Sequence, residues 1–470
     1  MKLFKNDEKD NDLTSGALLP KIIKFVLPLI ITNLLQVFYS AADMIVVSLS
    51  DAEGAIGAIG TTGAMINLIL NIFIGLSIGA NVIVARYIGM GSRDATSKAV
   101  HTSLILSVIC GAVALTVGLF ISRPVLAFMG DEGHILDLAV KYTSIYFVGV
   151  PFLSAANFLI AIFRAKGDTK TPLIVLTASG LLNVVLNLFF VVVLKMDVDG
   201  VAYATAISNA VSALVLLIIL SKDKGWVRFE FKKLRIDKRA LVDIIKVGVP
   251  AGVQGAVFSL SNMLIQSSII SLNNAACPGG SAIIDGNAAA SSLEGFAYTA
   301  TNSVYQAAVT FVSQHYGAMK LKRIGKVMKC CYLVTFVIAT VVSLTIVFLR
   351  RPLLAPYGVS EALSELSFST AQSRLFILLI PYFTLAFMET GSGTLRGLGK
   401  SLTSTIVSLL GSCVLRIVWI YTVFRAYNTI EVVYLSYPIS WALTGLVHFI
   451  CTMATRRKLA RQYPEAATAE

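Results

Sequence analysis

The chain has 470 residues, 56% of them hydrophobic and only 14% charged, with a formal net charge of +13. An ordinary soluble domain averages about 25% charged residues. The apolar residues here come in runs long enough to cross a bilayer, so the composition excludes such a domain and points to a multi-span helical membrane protein.

The basic excess would suggest nucleic acid in a soluble protein. Here Lys and Arg sit in short loops between apolar runs, where they set topology, and no nucleic-acid partner is expected. Residues 1–20 read as a charged cytoplasmic leader. The apolar run that follows is too long for the core of a cleavable signal peptide.

That first run, Ile22 to Ser48, carries Asp43 in its second half. An ionisable group in a span is costly and marks a functional site by default. Asn33, Gln36 and Ser40 precede it at steps of three, four and three residues, which places all four side chains on one helical face. Such a stripe looks onto protein or water rather than lipid. Pro28, upstream in the same span, cannot donate to the carbonyl of Lys24, so it is a candidate hinge. A static entry kink is the competing reading.

Twelve spans are predicted. The first six are 22–48, 56–86, 99–120, 137–163, 172–194 and 200–220, within an N-terminal lobe of residues 21–221. A basic linker, 222–240, follows. The second six are 242–272, 285–315, 328–349, 367–394, 403–425 and 431–454, within a C-terminal lobe of residues 241–455, and residues 456–470 form a cytoplasmic tail.

With the N-terminus in the cytoplasm, the inner loops receive Arg86, Arg93 and Lys98, then Arg164, Lys166 and Lys170, then the linker. They also receive Lys320, Lys322, Arg323, Lys326 and Lys329, then Arg396 and Lys400, then the basic tail. The outer loops hold only Arg123, Lys141, Lys195, Arg350, Arg351, Arg374 and Arg425. This bias predicts a multi-pass protein with both termini cytoplasmic, in the plasma membrane (the cytoplasmic membrane of a prokaryote). The linker reads as a solvated basic face or a contact with anionic membrane lipids.

The halves repeat. KFVLP around Pro28 matches KVGVP around Pro250, VARYIG at 84–89 matches VSQHYG at 312–317, and RPVL at 123–126 matches RPLL at 351–354. Pro151 matches Pro381, and FRAKG at 163–167 matches LRGLG at 395–399. The offset grows slowly, as small loop insertions require. Six spans per half make parallel repeats about an axis along the membrane normal, the design of an alternating-access transporter.

At YSAADMIVV, ANVIVARYIGMG, FRAKGDTKTP, LLNVVLNLFF, GVAYATAIS and VSQHYGA the chain resembles the multidrug and toxic compound extrusion (MATE) family, over residues 15 to 455. The resemblance implies an all-α, V-shaped pair of lobes. It implies export of organic, often cationic, compounds or drugs driven by entry of Na⁺ or H⁺, with no cofactor and no enzymatic step. A monomer is expected. By the family's pattern a cation site in the first lobe would use Asp43, Asn183, Asn187 and Thr205. Some members carry a second carboxylate where this chain has Asn187, which leaves the coupling ion open.

The residues support that pattern independently. Asn183 and Asn187 are one turn apart on one face, and carboxylate, amide and hydroxyl oxygens are hard ligands for a small cation. A proton on Asp43 would neutralise it equally well, and either ion can shift a lobe between two conformations. Interhelical hydrogen bonding is the competing reading for the two asparagines and for Thr205.

Candidates for a cargo or second ion site are Gln36 and Tyr39 in the first span, Glu294, Tyr298 and Asn302 in the eighth, and Glu389 in the tenth. Glu294, Tyr298, Asn302 and Tyr305 follow at steps of four, four and three, a stripe that can hold a lipophilic cation by charge and cation–π contact. Glu389 lies beyond Pro381 and just before Gly391-Ser392-Gly393, in a helix expected to be irregular. Arg416, inside the eleventh span, needs a partner, with Glu389 or Glu294 as candidates.

No metal-type spacing links the four histidines or six cysteines, and no disulfide framework is expected. An intramembrane enzyme would need a nucleophile–base pair or metal cluster, and HExxH is absent. The alternative within the same superfamily is a flippase for a lipid-linked oligosaccharide, which would be favoured by many arginines inside the spans.

Overall fold

The structure, a computed structural model, describes residues 12–47, 55–128 and 133–468. Among these residues all regular structure is helical, because a segment in lipid must satisfy its own backbone hydrogen bonds. The first six helices are α1 (Leu18–Val47), α2 (Ala55–Gly89), α3 (Arg93–Phe128), α4 (Gly133–Ala165), α5 (Lys170–Leu188) and α6 (Val198–Ser221). A π-helical turn, Phe189–Val193, extends α5. The second half begins with α7 (Lys238–Ala276), α8 (Ala282–Gly317) and α9 (Leu321–Phe348). It continues with α10 (Glu365–Leu379), α11 (Phe383–Gly397), α12 (Ser401–Tyr427) and α13 (Ile430–Gln462).

Ten of these are long and apolar enough to span a membrane, and α10 with α11 make an eleventh span broken by 49°. Pro381 lies at the break, where its missing N–H and ring end a helix. The remaining predicted span, α8, has the length at 36 residues but carries Asp285, Asn287, Glu294, Asn302 and Gln306, which make it more polar than the others. Large apolar side chains left exposed, such as Phe120 at 80% and Phe348 at 76%, face where lipid would be.

Two compact units result. The first comprises Met1–Ala17, Lys24–Ala256 and Ser313–Met319, and the second Leu18–Ile23, Val257–Val312 and Lys320–Glu470. The division runs through α7 rather than through the linker, and glycines explain why. Gly75 and Gly79 of α2 meet Gly248 and Gly252 of α7 so closely that a Cβ on Gly75 would sit 2.2 Å from the backbone of Gly252. Both helices carry a GxxxG spacing, which lets backbones touch where lipid supplies no hydrophobic drive for association. The repeat-related motifs also meet, with Gly89 against the carbonyl of Gln314 and Gly317 against that of Arg86.

The core of the first unit centres on Leu126, Phe147, Val150, Val198 and Val201, and that of the second on Leu375, Tyr382, Tyr434 and Trp441. The linker is less solvated than its charge predicts. Val227 and Phe229 are buried, His101 stacks on Phe229 at 5.5 Å, and its Nε2 lies 3.1 Å from the backbone of Glu230. The Asp237 N–H donates to Thr102 Oγ1, and Asp237 Oδ1 accepts from Ala240 at the start of α7. Two arginines assigned to loops from their sequence position are instead buried in helices: Arg374 in α10 and Arg396 in α11.

Candidate functional site

The polar interior of the first unit is a seam between α5 and α6, closed on one side by α1. On α5, Ser179, Asn183 and Asn187 recur every four residues and are all buried. On α6, Thr205, Ser208 and Ser212 face them. Ser212 donates to Ser179 Oγ at 2.6 Å and Asn183 Nδ2 to Thr205 Oγ1 at 3.4 Å. Asn187 Nδ2 donates both to Asn183 Oδ1 at 3.3 Å and to Asp43 Oδ1. The four predicted residues are thus joined in one chain from α1 through α5 to α6.

Two features make this seam more than packing. Asp43 has no basic partner among the described residues, whereas Asp94, Asp137 and Asp199 pair with Lys98, Arg123 and Lys141. The carbonyl oxygen of Asn187 is buried with no donor, and so is Ser208 Oγ. A buried acceptor without a donor costs about 1–3 kcal/mol unless something fills the place. Asp43, Asn187, Asn183 and Thr205 carry oxygens of the kind a hard monovalent cation takes, and a proton on Asp43 would meet the same charge requirement.

Tyr39 lies over the same helix. Its ring rests on Gly180, where a Cβ would collide with it, and its hydroxyl donates to the Thr177 carbonyl at 3.2 Å. Gln36 and Ser40 remain exposed. Pro28 sits inside an unbroken α1, and Thr32 Oγ1 donates to its carbonyl at 2.7 Å.

The second unit is built differently. Glu294 of α8, expected to be available to cargo, is held by Arg374 Nη2 at 2.6 Å, while Arg374 Nη1 donates to Asn287 Oδ1 at 2.7 Å. Tyr434 also donates to Asn287 Oδ1, at 3.1 Å. Neither glutamate pairs with Arg416. Its Nε donates to Ser440 Oγ at 2.8 Å, and its guanidinium stacks 4.2 Å over the Tyr437 ring. Arg374 already holds Glu294, and aromatic faces of α13 take the second guanidinium.

The predicted stripe on α8 divides. Tyr298, Asn302 and Gln306 form a hydrogen-bonded line, and Tyr298 is 44% exposed. Tyr305 is buried beneath Arg396, which donates to its hydroxyl. Glu389 is buried and makes no hydrogen bond or ion pair among the described residues, and Arg396 acts on it through space.

Sequence reasoning missed Ser179, Ser208 and Ser212, although extending the four-residue steps from Asn183 and Thr205 finds them. It also missed the Arg374–Glu294–Asn287 cluster, which no local spacing announces.

The MatE family profile matches residues 28–189 and 250–422, beginning at the two prolines that the internal repeat pairs. The chain is 24% identical over 437 residues to the probable multidrug resistance protein YoeA of Bacillus subtilis strain 168, covering 90% of this chain and 91% of that protein. It is 24% identical over 396 residues to the probable multidrug resistance protein NorM of Thermotoga maritima, covering 83% and 82%. Its fold matches a solved outward-facing multidrug resistance MATE family transporter with a TM-score of 0.88 at 22% identity, over 97% of this chain and 100% of that one. A transporter of the MOP superfamily from Pyrococcus furiosus matches equally well, with a TM-score of 0.88 at 22% identity over 97% and 99%. With both halves matched and most of the chain covered, this protein belongs to the MatE family.

Proposed function

We propose that the protein is a secondary active antiporter that exports organic, cationic and amphipathic compounds in exchange for Na⁺ or H⁺ by alternating access. The observation that carries this reading is Asp43: an acid in a span, without a basic partner among the described residues, beside a buried Asn187 carbonyl that has no donor. An ion entering there supplies the missing positive charge. Asn183 and Thr205 would complete the ligand set for Na⁺, whereas a proton would need Asp43 alone.

Occupancy can move the unit only if it favours one conformation over another. Pro28, about four turns before Asp43 on α1, is the proposed hinge. Solved MATE structures have been described in a bent and in a straight conformation, which supports a protein with two shapes. In the second unit Glu389, Tyr298 and Asn302 are proposed cargo contacts, and in the first unit Gln36 and Tyr39 are separate candidates. Glu294 is left out because Arg374 holds it.

The basic loops support a plasma-membrane location with both termini in the cytoplasm, and the chain is read as a monomer. The test is transport in proteoliposomes under Na⁺ and H⁺ gradients imposed separately, wild type against Asp43→Asn. Gradient-driven accumulation should be lost in the variant while a folded protein is recovered. Undiminished transport would refute the role of Asp43, and the gradient that drives the wild type identifies the ion.

A further inference from the structure

We propose that Arg416 anchors an oxyanion subsite in the second unit, one that takes the carboxylate or phosphate of an amphiphile. The residue is 6% exposed, deep in α12. Among the described residues no carboxylate pairs with it. Only its Nε makes a hydrogen bond, to Ser440 Oγ at 2.8 Å, so its two Nη groups are left without a protein acceptor. Neither Nη is among the fully enclosed atoms that lack a partner, so both keep an open edge where an acceptor can reach them.

The surroundings do not cancel the charge. Arg374 also lies over Tyr437, 5.7 Å from the ring centroid, and Glu294 neutralises it. Two guanidiniums thus share one aromatic ring and one carboxylate, and a single positive charge remains on Arg416. The ring of Tyr437 at 4.2 Å and that of Trp441 at 5.6 Å stabilise the cation from its faces. Stacking occupies the faces and leaves the in-plane N–H edge, which is the edge that receives an oxyanion in a bidentate fork.

The local helix geometry is a second, independent observation. Arg416 sits in one short α-helical stretch, Leu415–Trp419, between two π-helical turns, Leu409–Val414 and Ile420–Phe424. π-turns are rare and collect at functional sites, since each inserts a residue and re-aims a side chain. Two of them bracketing one buried arginine set its direction. The aromatic walls suit the apolar body of an amphiphile, and the guanidinium suits its anionic end.

This inference deepens the exporter reading by adding zwitterionic or acidic compounds to the cargo class. Its test needs no gradient, so it stands or falls separately from ion coupling at Asp43. Full-length protein in phosphatidylcholine nanodiscs is titrated with sodium acetate or inorganic phosphate replacing chloride at fixed ionic strength, and the thermal midpoint is followed. A ligand that binds only the folded form raises the midpoint saturably. The wild type should rise by a few degrees. Arg416→Gln should show no anion-dependent rise, and Arg416→Lys should need at least about tenfold more anion, since it keeps the charge but loses the fork.

A second arm places phosphatidic acid in the nanodiscs without acetate. A rise there alone makes a lipid phosphate the occupant, whereas a rise with acetate in phosphatidylcholine makes it a soluble carboxylate. Either result supports the subsite. No saturable rise with acetate, phosphate or phosphatidic acid in the wild type would overturn it, as would a rise that persists in Arg416→Gln. The wild-type titration decides even where a variant folds poorly.

Discussion

Around Asp43 the first unit sets amides and hydroxyls; around Glu294 the second sets a guanidinium and aromatic rings. Asp43 receives a hydrogen bond from Asn187 and has no fixed countercharge among the described residues. Glu294, by contrast, is bound by Arg374, which in turn is bound by Asn287 and flanked by Tyr434 and Tyr437. A carboxylate that lacks a fixed countercharge can exchange a mobile one, whereas a carboxylate locked to a guanidinium cannot do so cheaply. On the proposed reading, charge is exchanged in the first unit and the second supplies a fixed charge frame.

The largest expected effect tests that frame. Glu294→Ala leaves Arg374 buried without its counterion, and breaking one side of a buried pair costs about 3–5 kcal/mol. Recovery of folded protein and the thermal midpoint should both fall sharply. Adding Arg374→Met to Glu294→Gln should restore much of the loss, because removing both charges removes the unmet one. Asp43→Asn should behave oppositely, shifting stability by no more than about 1 kcal/mol, since an amide at this position can still accept from Asn187. If Asp43→Asn destabilises as much as Glu294→Ala, the proposed division of labour is wrong.

The first unit was also the more legible one in sequence. Asp43 stands out because an acid inside an apolar run is expensive, and Asn183 and Asn187 because a step of four keeps one helical face. Such signals are local. The second unit depends on partners far apart in the chain: Glu294 and Arg374 are 80 residues apart, and Arg416 and Ser440 are 24 apart. No periodicity reports which helix faces which, so Arg416 was paired with the wrong chemistry and Arg374 was read as a loop residue. The fold was readable from span lengths, loop charge and the repeat. The α2–α7 contact was not, because GxxxG is visible in each helix while the pairing of Gly75 with Gly252 belongs to tertiary structure.

A smaller effect separates two prolines. Pro381 already breaks its span, with a 49° bend between α10 and α11, whereas Pro28 lies inside a helix that runs unbroken from Leu18 to Val47. A fixed break belongs with a fixed frame, and an intact but weakened helix belongs with a part that changes shape. Pro28→Ala restores the missing donor and should favour the straight form of α1. Coupled transport in proteoliposomes should drop by about tenfold, the effect of shifting a two-state balance by roughly 1.4 kcal/mol. Thermal stability should hold or rise. Unchanged coupled transport would make Pro28 a static kink and remove the hinge from the first unit.

Glu389 is where the comparison is most exposed, because it is the one acid of the second unit's interior that lacks a hydrogen bond or ion pair among the described residues. It lies two turns before Arg396 on α11, and its charge acts on Tyr298 and Tyr305. Arg396 gives it a through-space countercharge that Asp43 does not have. It should therefore attract cargo rather than carry the coupling ion. Glu389→Gln keeps the shape and removes the charge. The expected outcome is a KM for a cationic drug raised about fivefold, in line with a charge or cation–π contact of about 1 kcal/mol. Accumulation at saturating drug should remain driven by the same gradient as in the wild type. Loss of ion coupling with KM unchanged would instead place a second exchangeable charge in the arginine-framed unit, and the contrast between the two units would then lie in how each acid is neutralised rather than in which one works.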